Sequence, residues 1–265
     1  MAANALTMIG PGKDPIIYDH PLNERVRTLL RLEDLFAKTI FFCEKLEVLA
    51  HHCALLSLFE IVDVTGRGDL KSDLLQELER QKHLLESLRD NPAVAQEALR
   101  ETLREISTGL VKLRELPGKT GQHVRDNDWL MNIKQRSYIA GGVCEFELPS
   151  YHFWLNQAAT LRQQNLNDWL YPLLPIYDGL RIVLRLLRGS GQALQQRAQN
   201  GAFQLMLSGK TAQMLRVGLA REETCVPEIS ANKYAINIRF INLNSEQKAR
   251  PCENAVDFNL TLCTL

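Results

Sequence analysis

Residues 202–219 read AFQLMLSGKTAQMLRVGL. Phe203, Leu205 and Leu207 alternate with Gln204 and Met206, and Leu215, Val217 and Leu219 alternate with Arg216 and Gly218. A period of two is the mark of strands with one buried face. The segment Ser208-Gly209-Lys210-Thr211-Ala212 between them has turn composition, so the pair predicts a β-hairpin. Further on, Ile236, Ile238 and Phe240 alternate with Asn237 and Arg239, and Val256, Phe258, Leu260 and Leu262 alternate with polar partners. Upstream of Gly189-Ser190-Gly191 the apolar period is almost everywhere that of helices. Strands segregated after many helices predict an α+β fold: a mostly helical domain with an αα-hairpin arm, followed by a C-terminal, mainly antiparallel β domain.

Working back towards the N-terminus, the leucines carry the helical part. Leu166, Leu170, Leu173, Tyr177, Leu180, Leu184 and Leu187 form one seam, with Pro172 and Pro175 forcing a kink or a restart near Leu173. A helix is predicted from Ser150. The stretch before it, Val143-Cys144-Glu145-Phe146-Glu147-Leu148, alternates and is stopped by Pro149, which predicts a short strand over 143–148 that joins the sheet. Another helix is predicted over 121–138. Leu74, Leu78, Leu85 and Leu88, with Gln81 in the remaining seam position, keep a spacing near 3.5. Leu99, Leu103, Ile106, Leu110 and Leu113 continue that spacing after Asn91-Pro92. Two such seams predict an antiparallel αα-hairpin, with Asn91 as N-cap and Pro92 at the first helical position. Leu46 to Val62 and the residues from about Pro21 to Phe41 read as two earlier helices. The domain boundaries that follow are 1–17 as a flexible lead, 18–190 as the helical domain and 191–265 as the β domain.

Composition narrows the function. The chain has 265 residues, with Lys+Arg 31 and Asp+Glu 31, so the formal net charge is zero. That removes the bulk basicity of a dedicated nucleic-acid binder. The N-terminus lacks a cationic lead before an unbroken apolar run, and no run reaches the ~20 apolar residues of a bilayer span. A cytoplasmic protein without membrane insertion is expected. The 6 cysteines show no C-x-x-C spacing and are expected to be reduced and buried.

Sites for chemistry are scarce. Gly209-Lys210-Thr211 ends like a phosphate loop, but the first glycine it needs falls on Gln204; Gly118-Lys119-Thr120 has Leu113 there. His51-His52-Cys53 catches the eye, yet neighbours in a helix diverge by about 100° and cannot meet on one ion. No G-x-S-x-G elbow is present, so no catalytic, cofactor-binding or metal-binding residue is assigned. What remains is cationic. Arg67 sits in a glycine-flanked turn, Arg125, Lys134 and Arg136 accompany the helix before Gly141-Gly142, Lys233 and Arg239 bracket a strand, and Arg181, Arg185 and Arg188 form a stripe. These suit the docking of a charged peptide, and the residues alone stop at an α+β interaction protein. A nucleotide-binding enzyme using a Gly-Lys-Thr loop and a nucleic-acid-associated scaffold using the arginine stripe stay open.

Several stretches add to this. HPLNERVRTLLRLE (20–33), DLLQELERQ (73–81) and IAGGVCEFELPSYHFWL (139–155), with weaker echoes in YAINIRFI (234–241) and VDFNL (256–260), resemble the family of Z-ring-associated protein D, ZapD, in the family's order. The resemblance implies a helical domain plus a β domain, a homodimer, and no catalysis or cofactor. It implies that the dimer binds the C-terminal tail of FtsZ, the tubulin-like division GTPase, and so cross-links and bundles its filaments at midcell. The family's tail-binding surface is basic. The positions whose local motif matches are Arg67 in G-R-G-D, Arg80 in E-L-E-R-Q, Arg125 and Arg136 before the Gly-Gly turn, and Arg239 in N-I-R-F, with Lys233 close by.

Overall fold

A computed structural model describes residues 14–66, 68–207, 209, 211–243 and 249–265. Its elements run β1 (Ile16–Pro21), α1 (Glu24–Cys43), α2 (Val48–Thr65), α3 (Leu70–Glu86), α4 (Gln96–Glu115), α5 (Gln122–Arg125), α6 (Asp128–Ser137), α7 (Pro149–Leu155), α8 (Ala159–Leu170), a 3₁₀ turn (Tyr171–Leu173), α9 (Leu174–Gly189) and then β2 (Leu194–Ala198), β3 (Ala202–Met206), β4 (Met214–Leu219), β5 (Cys225–Ala231), β6 (Ala235–Leu243), β7 (Ala249–Pro251) and β8 (Val256–Cys263). The fold is α+β, as the segregation of periods predicts. The chain divides into a helical unit, Thr28–Val183, and a β unit that joins the residues up to Arg27 with Leu184–Leu265.

The β unit is built from two antiparallel sheets. One has the strand order β1-β4-β8-β2; the other runs β3-β6-β5, with β7 also paired to β6. Their inward faces share one core: Leu215, Val217, Phe258 and Leu260 from the first sheet meet Ile236, Ile238 and Phe240 from the second. Phe258 lies 5.2 Å from Phe203 and 5.0 Å from Phe240, ring centre to ring centre. The hairpin expected across 203–219 is not formed. β3 pairs with β6, setting Phe203 opposite Ile238, whereas β4 pairs with β1 and β8. Alternation marks a strand with one buried face, and both strands have one, but it does not say which sheet buries it.

The passage from β2 in the first sheet to β3 in the second is made at Asn200-Gly201. Both residues have positive φ, 50° and 66°, and Gln199 and Ala202 exchange backbone hydrogen bonds of 3.1 and 2.9 Å around them. This is the geometry of a type I′ turn, for which Asn-Gly is the preferred pair. A side chain at 201 would bring its Cβ to 2.5 Å from the carbonyl oxygen of Cys252. β1 completes the first sheet: Ile16 and Ile17, read as part of the lead, pair with Leu219 and Gly218. Asp19 on the same strand accepts hydrogen bonds from Arg188 at 2.9 Å and Arg216 at 2.8 Å. Residues 1–13 of the expected lead lie outside the described residues.

In the helical unit the αα-hairpin is present as α3 and α4. Leu74 and Leu78 are buried with Leu99, Leu103, Ile106, Leu110 and Leu113. α4 begins at Gln96 rather than Pro92. Asn91 caps only a turn, its Oδ1 accepting from Ala93 N at 2.9 Å. At the base of the hairpin Gly179 of α9 packs closely, since a Cβ there would meet Leu113 at 3.0 Å. Ion pairs from Arg114 to Glu79 (2.6 Å) and Lys112 to Asp178 (2.8 Å) flank these contacts. The prolines act as expected: α8 stops at Leu170 and α9 restarts at Leu174.

The strand expected over 143–148 is absent. Those residues form successive turns, with Cys144 N bonded to Gly141 O and Leu148 N to Cys144 O. Leu148 is buried while Phe146 is 79 % exposed, so the alternation there does not mark one buried face. The helix expected over 121–138 is two, because Asn127 Oδ1 accepts from Leu130 N at 3.0 Å and starts α6 afresh. The helix from Ser150 likewise breaks between Leu155 and Ala159.

Gly201→Ala is expected to destabilise the protein by about 2–4 kcal/mol, from the left-handed conformation and the clash with Cys252 together. Chemical unfolding measures this; an unchanged midpoint would show that the turn relaxes freely.

Candidate partner-binding surface

Arg67 lies outside the described residues. The other expected cations are placed as follows. Arg125 is structural in its bonding: Nη1 donates to Thr120 O at 2.7 Å and Nη2 to Val62 O at 2.6 Å. Gly66 leaves the room this needs, as a Cβ there would meet Arg125 Nη2 at 2.6 Å. Lys134 donates to Asp63, which also accepts from the Tyr138 hydroxyl at 3.1 Å. The C-terminal end of α2 therefore holds Arg125 at Val62 and Lys134 at Asp63. Arg136, on the same helix as Lys134, pairs with Glu147 at 3.0 Å, and both side chains are exposed. An exposed pair of this kind contributes little and exchanges readily for another anion.

Arg80 stands apart from that group on α3. It pairs with Glu77, a buried carboxylate that also accepts from Gln81 Nε2 at 2.9 Å. In the β unit, Lys233 holds its Nζ 4.7 Å from the centre of its neighbour Tyr234's ring. Arg239 occupies the outer face of β6, between Ala202 of β3 and Glu228 of β5. Its side chain is exposed and, among the described residues, makes no hydrogen bond or ion pair. Of the stripe, Arg188 is engaged with Asp19, and Arg181 lies 5.3 Å from the ring of Tyr177.

The most heavily bonded arginine was not among the expected residues. Arg162 on α8 is 4 % exposed. Its Nε donates to His51 Nδ1 at 2.9 Å, Nη1 to the carbonyls of Leu155 (2.9 Å) and Gln157, and Nη2 to Leu46 O at 2.9 Å. Because Nε can only donate, Nδ1 of His51 accepts, and its Nε2–H donates to Lys45 O at 2.7 Å. Gln163 adds bonds to Cys43 O and Lys45 O at 3.2 and 3.1 Å. The turn between α1 and α2 is thus pinned from behind by three side chains. Nothing in the local sequence marks this, since Arg162 and His51 are 111 positions apart.

His52 points elsewhere, its Nδ1 2.7 Å from the hydroxyl of buried Tyr151, so the His51-His52-Cys53 run diverges as helical geometry requires. Among the described residues no group of three His, Cys, Asp or Glu side chains could hold a metal. Leu113, where Gly118-Lys119-Thr120 would need its first glycine, is buried inside α4. Lys210 of the other lookalike is outside the described residues. α2 is long and apolar enough to cross a membrane, and half of it is buried inside the protein. All six cysteines are free; burial, with Cys252 alongside, pushes the Cys225 thiol up to about 12.

Burial holds the His51 pKa below its ordinary 6.5, and the adjacent Arg162 adds to this, against the pull of Lys45 O and Glu47. His52 and His20 are lowered as well, chiefly by burial. Groups that are neutral in the fold and charged in the unfolded chain contribute stability that is complete above about 6.5 and is lost as the pH falls below it. The thermal midpoint is therefore expected to fall between about pH 7.5 and 5.5, where a flat profile would contradict the assignment. Arg162→Met, which leaves several carbonyls unpaired, is expected to cost about 3 kcal/mol or more in urea unfolding.

A family model described as "ZapD: Cell division protein" matches residues 30–239. The Cell division protein ZapD of Azoarcus sp. (strain BH72) is 53 % identical over 250 residues, covering 94 % of this chain and 100 % of the relative. That of Dechloromonas aromatica (strain RCB) is 53 % identical over 251 residues, with coverage of 94 % and 100 %. That of Nitrosomonas eutropha (strain DSM 101675 / C91 / Nm57) is 50 % identical over 250 residues, again covering 94 % and 100 %.

Proposed function

Because the chain belongs to the ZapD family of cell division proteins, we propose that it is a non-enzymatic cross-linker of the division filament. In this reading it binds the C-terminal tail of FtsZ and, as a homodimer, bundles FtsZ filaments in the cytoplasm at midcell. The observation that carries the reading is the extent of the family likeness, 53 % identity over 94 % of the chain with the relative covered in full. The charges fit it. Arg239 and Lys233 are exposed cations not engaged in ion pairs among the described residues, and the Arg136–Glu147 pair is exposed enough to exchange its carboxylate for one on a tail.

Magnitudes set the mechanism. A charge-assisted contact is worth ~1.5–3 kcal/mol at best, and less at an exposed site. A few such contacts hold a single tail in the micromolar range or weaker. A dimer that engages two tails, each repeated along a filament, raises the effective affinity through local concentration without any new contact. Weak single sites and strong bundling are then consistent. Arg125 contributes by holding the end of α2 to the Thr120 turn, since both of its terminal nitrogens are occupied.

The test is co-sedimentation with polymerised FtsZ, with and without its tail. The protein is expected to pellet with intact filaments, to stay in solution with tailless ones, and to lose most of its binding at about 0.3 M salt. Arg239→Glu is expected to weaken pelleting several-fold with an unchanged melting temperature. Equal pelleting with tailless filaments would overturn the reading, and insensitivity to salt would remove its electrostatic part.

A further inference from the structure

A strand at the edge of a sheet turns a row of backbone N–H and C=O groups outward, and folded proteins blunt such rows with charges, prolines or bulges. The edges of the β unit differ in this respect. β1 carries Asp19 and Pro21, β2 carries Arg197, β5 carries Pro227 and Glu228, and β7 carries Arg250 and Pro251. β3, Ala202-Phe203-Gln204-Leu205-Met206, has neither charge nor proline, and among the described residues its one ladder partner is β6. The ladder fixes which groups point outward. Gly201 O accepts from Phe240 N at 2.7 Å, and Leu207 N donates to Tyr234 O at 2.8 Å. Bonding residues alternate along an antiparallel pair, so Phe203 and Leu205 also bond towards β6, and Ala202, Gln204 and Met206 turn the other way. Ala202 meets Gln199 across the Asn200-Gly201 turn, after which β2 departs to pair with β8. The N–H and C=O of Gln204 and Met206 are left without a backbone partner among the described residues.

The side chains along this edge sort by face. Phe203 and Leu205 point towards the core and are half-buried against it, so apolar surface stays open on the inner side. On the outer face Ala202 lies opposite Arg239, whose side chain is exposed and, among the described residues, unpaired. A strand added beyond β3 lies two strand spacings from β6, about 10 Å, which the combined length of an arginine and an acidic side chain spans. Ala202 is too small to stand between them. An extended segment at this edge would continue the ladder with its backbone, cover Phe203 and Leu205 with apolar side chains on one face, and offer a carboxylate to Arg239 on the other. A nucleic acid or a lipid surface has no peptide groups with which to continue a ladder.

We propose that the free edge of β3 takes up an extended acidic segment as an added strand, with apolar side chains opposite Phe203 and Leu205 and a carboxylate opposite Ala202. This rests on the tail binding of the proposed function and adds its mode, the FtsZ tail being the occupant. The probe is a synthetic peptide of that tail, titrated into the full-length protein by calorimetry and followed by amide hydrogen exchange in NMR. The Gln204 and Met206 amides are expected to exchange fast in the free protein and about ten-fold or more slowly at saturating peptide, while those of Phe203 and Leu205, already bonded to β6, change little. Gln204→Pro removes one outward N–H and leaves the β6 ladder whole, so it is expected to weaken binding about ten-fold with an unchanged melting temperature. Gln204→Ala, which keeps that N–H, is expected to bind as the wild type does. Should the proline variant fold poorly, the exchange pattern decides. No binding at about 100 µM protein would overturn the tail reading and this inference with it. Binding that leaves both amides exchanging freely, or that a folded Gln204→Pro does not weaken, would overturn this inference alone. Amides already protected without peptide would give the edge to a second copy or to another part of the chain, and so overturn it too.

Discussion

A buried guanidinium must be given acceptors for its donors, and the helical unit is organised around meeting that demand at Arg162. Taking a cation out of water costs several kcal/mol unless its hydrogen bonds are replaced. Here they are replaced by a neutral histidine and the carbonyls of Leu46, Leu155 and Gln157. Those carbonyls belong to two breaks between helices, α1 to α2 and α7 to α8, where backbone acceptors are left without helical partners. One side chain therefore closes two helix ends and fixes the tautomer of His51. The same bonds, with those of Gln163 and His51, satisfy the carbonyls of the turn that carries exposed Leu46, Val48 and Leu49 into α2.

The β unit depends on a different constraint. Two sheets share one core, and the passage from β2 to β3 is made at Asn200-Gly201, where both residues hold positive φ and a Cβ at 201 would meet Cys252. The Asp19 carboxylate then ties β1 to β4 and to the end of α9 through Arg216 and Arg188. These ties explain how an N-terminal strand belongs to a unit otherwise built from the C-terminal part of the chain.

Periodicity made much of this legible. The leucine seams of α3, α4 and α9, the restart after Pro172, and the strands around Phe203, Val217, Ile238 and Phe258 all follow from spacing. Pairing was not legible, because alternation at 203–207 and at 215–219 describes a buried face and not the neighbour that buries it. Four strands were missed, the three-residue β7 and, for related reasons, β1, β2 and β5. Ile16-Ile17 is too short an apolar run, Leu194–Ala198 is polar, and Pro227 interrupts β5. At 143–148 the pattern was present, but Gly141-Gly142 and Pro149 bound a segment that closes into turns. Of the site, residue types were legible and their state of engagement was not. Arg125, Arg80 and Arg239 look alike in sequence; one holds two carbonyls, one neutralises a buried glutamate, and one stands open on a sheet face. Family likeness supplied the cell-division role, which no local pattern contains.

Net neutrality is an average over local charge: Arg239 stands open on a sheet face, and Arg136 and Glu147 pair in solvent. The most direct measurement is titration calorimetry of the full-length protein with a synthetic peptide of the FtsZ C-terminal tail, at low salt and at about 0.3 M. Binding in the micromolar range, one peptide per protomer, weakening several-fold with salt, is the result expected. No heat at a protein concentration of about 100 µM, or an affinity indifferent to salt, would contradict it.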